Sequence, residues 1–195
     1  DMANGIRGNE LFMDFYDNPG KVHELISFCT RASQWTFEHQ HARVGQLQGG
    51  TMTGMGVWLP GRSIGHLSED ASCLCSADLY REFGRPYTEQ LLEHYDCALV
   101  HVHTVGRHVL PEICAIEKVR FVQLTLDPNQ PSPIETFREY EEALDGKVVI
   151  VQSVKDEILA NLDFLTAHKC IIWADVRSLS DARELVAGVR RASEF

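Results

Sequence analysis

With 44% hydrophobic and 24% charged residues, this chain of 195 residues can bury a core, and its length suits one domain or a piece of a larger one; disorder is excluded. Twenty-eight acidic against 18 basic residues leave a net charge of −10, a field that disfavours a nucleic-acid backbone or an anionic membrane surface as partner but leaves room for a local basic pocket. No stretch approaches the roughly 20 apolar residues of a membrane helix, and Asp1-Met-Ala-Asn-Gly5 lacks the parts of a signal peptide, so a cytoplasmic protein is expected.

In chain order, Asn18-Pro19 is a good helix start, and Val22, Leu25, Ile26 and Cys29 recur at helical spacing into a segment ending near Arg43. A Gly-rich stretch from Gly45 to Gly56 precedes the apolar run Val57-Trp-Leu59, which reads as a buried strand stopped by Pro60-Gly61. The following loop carries Arg62, His66, Glu69 and Asp70. Cys73-Leu-Cys75 is read as core, and Ser76 as the cap of a helix leading into Tyr80 to His94. The six cysteines lie mostly in apolar runs and never form Cys-x-x-Cys, which argues against a disulfide framework or a zinc ribbon.

The next strand is Cys97-Ala-Leu-Val-His-Val-His103, followed by a short helix from about Leu110 to Glu117. Phe121 to Asp127 alternates apolar Val122, Leu124 and Leu126 with polar Gln123, Thr125 and Asp127, as a strand does when one face meets helices and the other a polar interior. Lys147 to Gln152 is a nearly continuous apolar strand, a helix from Val154 to Ala167 follows, and Cys170 to Asp175 is a last strand before the helix Ser180 to Arg191. Trp58 and Trp173 sit in apolar runs and are expected in the core, while the closing Glu194-Phe195 continues no pattern.

Strands alternating with helices over short connections imply an α/β fold with a parallel sheet. Five strands are counted, whereas a closed (β/α)₈ barrel of TIM type takes eight strands and roughly 250 residues. The expectation is one domain spanning 1–195, a partial barrel without its N-terminal strands. Such a sheet leaves strand edges unpaired, so a homo-oligomer or association with a missing N-terminal half is expected.

His101-Val-His103 concentrates the chemistry. Alternate residues of a strand share a face, so the two imidazoles project together at the strand's end, as a metal or acid/base pair would; equally, one is a satisfied polar group and the other solvated. Polar residues at the other strand ends, Asp127, Gln152 and Asp175, lie where a (β/α) barrel keeps its active site. Glu69 and Asp127 are candidate catalytic carboxylates, although an acidic residue before a helix cap also faces the helix dipole favourably. Arg62, Arg107 and Gln152 are candidate contacts to a small-molecule substrate, the arginines through a carboxylate.

The blocks Asn4-Gly-Ile-Arg-Gly8, Leu11 to Pro19, Val22-His-Glu-Leu25, Ser68-Glu-Asp70, Ser76 to Phe83 with Pro86-Tyr87, and His101 to Gly106, in that order, resemble the C-terminal two-thirds of the uroporphyrinogen decarboxylase superfamily, which includes cobalamin-dependent methyltransferases. The resemblance covers essentially the whole chain and implies a (β/α)₈ barrel. In the methyltransferase branch the histidine strand ends in His-x-Cys-Gly, whose His and Cys, with a later Cys, hold a zinc ion that activates a thiol. By that resemblance His101 matches the His, His103 stands in place of the Cys, Gly106 falls two residues late, and Asp175 takes the place of the later Cys. A His/His/Asp set suits zinc or another divalent ion. The resemblance therefore implies metal-dependent methyl transfer involving a thiol or a corrinoid donor or acceptor. A tetrapyrrole decarboxylase is the alternative within the superfamily, and a non-catalytic fragment that associates through strand edges is the alternative outside it.

Overall fold

The computed structural model describes residues 1–193; Glu194-Phe195 lie outside the described residues. Three helices open the chain, α1 (Met2–Arg7), α2 (Glu10–Asp17) and the long α3 (Pro19–Val44), which starts with Pro in its first turn as the sequence predicts. The hairpin β1 (Gly50–Met52) and β2 (Trp58–Pro60) follows, then β3 (Ile64–Ser68), a 3₁₀ turn over Asp70–Leu74, α4 (Ala77–Phe83) and α5 (Arg85–Leu92). Next come β4 (Ala98–His103), a 3₁₀ turn over Thr104–Val109, α6 (Leu110–Cys114), β5 (Val119–Thr125), α7 (Pro133–Glu139) and α8 (Glu141–Leu144). The chain closes with β6 (Val148–Val154), α9 (Lys155–Ala160), α10 (Leu162–Thr166), β7 (Cys170–Asp175) and α11 (Leu179–Ala192). No described helix is long and apolar enough to cross a membrane.

Strands β3 to β7 form one five-stranded sheet, every neighbouring pair parallel and in the order β3-β4-β5-β6-β7. Each strand therefore lies beside its successor, without the reversal of order that marks a doubly wound sheet. Period-2 alternation then gives the two faces different work. Ala98, Val100, Val102, Val122, Leu124, Val149 and Val151 pack with Leu110, Ile113, Phe137, Ile158 and Leu165 of the helices in the main core. The opposite face carries Leu99, Phe121 and Ile150 at its base, covered by Leu59 of the hairpin, and above them the polar residues of β4 and β5.

The run 57–59 is thus not the first parallel strand. Trp58–Pro60 pairs antiparallel with Gly50–Met52, and the sheet begins instead at Ile64–Ser68, inside the expected loop. An edge strand has one partner and needs no continuous apolar run, which is why Gly65 and His66 hid it. Gly61, at φ +70°, turns the chain between the two, and a Cβ there would collide with the Asp96 carboxylate, which accepts from the Arg62 N–H at 2.7 Å.

Other boundaries shift for local reasons. The expected helix to His94 divides at Gly84, and the one from Val154 to Ala167 divides at Asn161. Ser76 caps α4 as expected, accepting from the Leu79 N–H. The stretch 128–146, to which the sequence pattern assigned no element, holds α7 and α8; its signal was the capping box of Ser132 and Glu135 with Pro133 in the first turn. Trp58 and Trp173 are 43% and 38% exposed rather than core, and Cys73 and Cys75 are half-buried on either side of an exposed Leu74.

The two faces make a testable distinction. Val149 is fully buried among helices, so Val149→Asp should abolish cooperative unfolding, because an unpaired buried carboxylate costs several kcal/mol of a total of about 5–15. Ile171 is half-buried on the opposite face, and Ile171→Asp should cost about 1–3 kcal/mol and leave a folded protein. Thermal unfolding followed by circular dichroism checks the order; equal losses would contradict the assignment of faces.

Candidate metal centre

His101 and His103 lie two residues apart on β4 and share its polar face, their ring centroids 4.8 Å apart. In register, His101 pairs with Gln123 and His103 with Thr125 of β5. The His101 Nδ1 meets the Gln123 side-chain oxygen at 2.9 Å, and the His103 Nδ1 meets Asp127 Oδ1 at 2.7 Å. A carboxylate only accepts, so Nδ1 of His103 carries the proton, and the carbonyl oxygen of Gln123 imposes the same tautomer on His101. Both Nε2 atoms are thereby left to face the turn after β3.

Those Nε2 atoms converge on a third group. Asp70 Oδ1 lies 3.8 Å from Nε2 of His101 and 3.5 Å from Nε2 of His103, and one ligand atom from each of the three residues falls within 4.8 Å of the others. Ligand atoms on a tetrahedral zinc with bonds near 2.0–2.1 Å stand about 3.4 Å apart, so the spacing is close to what such an ion requires. Asp70 is brought there by the 3₁₀ turn after β3, which packs on the turn after β4. Gly106 permits that approach, since a Cβ there would stand 3.0 Å from the Cys73 Cβ.

Asp127 stands behind His103 rather than beside it. Its carboxylate also accepts from the Val105 N–H at 2.9 Å and the Thr104 hydroxyl at 3.4 Å, which fixes it as an orienting group. Carboxylate, imidazole and free Nε2 thus lie in the sequence expected of a metal-binding histidine. His66 adds a third ring, 5.4 Å from that of His101; burial, then the nearby His101, lowers its pKa from the ordinary histidine value.

The remaining candidates are placed differently. Asp175 ends β7, three strands from β4 and so about 14 Å away at the usual strand spacing, and it accepts weakly from Gln152 Nε2 at 3.5 Å. Asp70, which the sequence left in a loop without a role, occupies the place expected of Asp175. Arg62 precedes β3 and so lies at the opposite end of the sheet from His103, its guanidinium over the Tyr95 ring at 5.1 Å. Arg107 is at the right end but committed, donating to Thr104 O and Gln130 Oε1 and pairing with Glu139 at 3.3 Å. The Glu69 carboxylate accepts from Ser72 and Tyr80 hydroxyls at 2.7 and 2.9 Å, and burial raises its pKa above the usual carboxylate value.

All six cysteines are free, and burial pushes every thiol up, Cys75 and Cys114 to about 11. None has the lowered pKa of a nucleophilic thiolate. No family model, curated protein or solved structure matches the chain.

Removing the charge behind His103 while keeping its shape should weaken metal binding without unfolding the protein. Asp127→Asn is expected to lower zinc affinity about 10–100-fold, read by competition with a chromophoric chelator, because such outer partners orient the ring and raise its basicity. An unchanged affinity would remove Asp127 from the centre.

Proposed function

We propose that this chain is part of a (β/α)₈ barrel enzyme related to the uroporphyrinogen decarboxylase superfamily, and that it acts on a small molecule through a divalent metal held by His101, His103 and Asp70. The observation that carries the metal reading is the pairing of both imidazoles through Nδ1, to Gln123 and Asp127, while both Nε2 atoms face Asp70. Three protein ligands leave a position open for substrate, and two imidazoles with a carboxylate suit zinc or a harder divalent ion. When bound, the metal supplies Lewis acidity toward a thiol or oxygen group of the substrate. Gln123 and Asp127 keep the imidazoles oriented, and in this reading Gln152 and Asp175, farther along the same row of strand ends, contact the rest of the substrate. Methyl transfer, with a corrinoid as donor or acceptor, is supported by the order of the residue blocks from Asn4 to Gly106.

A second proposal rests on the sheet itself. Among the described residues, β3 and β7 each pair with one strand only, and β7 exposes Trp173, so association through these edges with further strands or a second copy follows from their unpaired N–H and C=O groups.

Metal content tests the first proposal. The purified chain, incubated with zinc and dialysed, should retain one equivalent by elemental analysis; His101→Ala, His103→Ala and Asp70→Ala should lose it with the fold intact, and Asp175→Ala should keep it. Loss in Asp175→Ala alone, or no metal in any form, would overturn the assignment. Light scattering tests the edges, and a stable monomer at concentrations on the order of tens of micromolar would count against them.

A further inference from the structure

The long helix α3 packs on the rest of the chain through Val22, Cys29 and Phe37, and its other side carries Phe28, Ala32, Trp35 and His39. Phe28 and Trp35 are 55% and 63% exposed, large apolar side chains left in solvent on one helix face. Steps of four, three and four residues are those that lay a seam along one helix for packing against a second. His39 lies against Trp35 with ring centroids 3.9 Å apart, which makes the seam continuous over its last turn.

Arg31 and Glu38 border this seam on the same side, each three residues after an aromatic. Seven residues of helix separate them by about 10.5 Å, too far for an ion pair within α3. Arg31 donates to the Ser27 hydroxyl at 2.8 Å and Glu38 accepts from Gln34 at 3.4 Å, both neighbours on the same helix, so each charge is free to meet a partner from outside.

We infer that this side of α3 is an interface for a second copy of the chain, the two α3 helices running antiparallel across a two-fold axis beside Ser33 and Gln34. In a parallel pair Arg31 would meet Arg31 and Glu38 would meet Glu38. The antiparallel pair instead brings Arg31 close to Glu38 of the second copy, and the symmetry makes that contact twice. It also sets Phe28 opposite His39 and the small Ala32 opposite Trp35, which gives each bulky ring room. The seam is separate from the free edges of β3 and β7, and a two-fold contact closes at two copies. One helix from each copy buries less than a standard interface, so a dissociation constant on the order of micromolar is expected.

Sedimentation equilibrium on the whole chain tests this. Trp35→Glu, at an exposed position, should raise the dimer dissociation constant by about thirtyfold or more while the circular dichroism spectrum stays unchanged. Arg31→Glu and Glu38→Arg each set like charges together and should each raise it about fivefold. Both substitutions in one chain exchange the charges and should return it to within about twofold of the starting value. Trp173→Asp, at the β7 edge, should leave it unchanged. A monomer at concentrations on the order of 100 micromolar, a dimer that survives Trp35→Glu, a double variant no tighter than the single ones, or dissociation caused by Trp173→Asp would overturn the inference.

Discussion

The parallel register between β4 and β5 is the constraint on which the candidate centre depends. It sets His101 opposite Gln123 and His103 opposite Thr125, so that Asp127, just past the end of β5, reaches the outer imidazole. A slip of one residue would turn every side chain of a strand to the other face, placing the imidazoles under the helices and Val100 and Val102 in the polar interior. The apolar set Ala98, Val100 and Val102, fully or almost fully buried, holds the register against that slip. Packing on one face thus positions chemistry on the other.

The same separation explains why the third ligand comes from a turn and not a distant strand. In a sheet of sequential order, a side chain at the end of one strand reaches its immediate neighbours, about 5 Å away, and little farther. β5 supplies partners for the Nδ1 atoms, and the turn after β3 supplies Asp70 for the Nε2 atoms. The imidazoles of β4 are therefore held from both sides, which is what a preorganised ligand set requires.

Much of this was legible in the residues. The alternation of Phe121 to Asp127 and the near-continuous apolar runs of β4, β6 and β7 are strong period-2 and buried-strand signals, and four of the five parallel strands follow from them. β3 was hidden because an edge strand carries no such run, and with it went the position of Asp70, since a carboxylate in an assumed loop has no direction. The family resemblance points to Asp175 instead, since it orders ligands along the chain but says nothing about how far apart β4 and β7 lie. Arg62 differs from its expected place for a related reason: β3 begins at Ile64, so the residue before it belongs to the far end of the sheet.

The cysteines bear on which chemistry the centre favours. Cys73 and Cys75 sit on or next to the turn that carries Asp70, close enough that Asp70 and Asp127 add to the burial that raises the Cys73 thiol. Both acidic neighbours oppose a thiolate there, and the ligand atoms that converge are those of Asp70, His101 and His103. That set is nitrogen and oxygen, which suits a divalent ion without demanding zinc. An ion held by two imidazoles and a carboxylate would be more electron-poor than one held by thiolates, and would polarise a substrate oxygen more strongly.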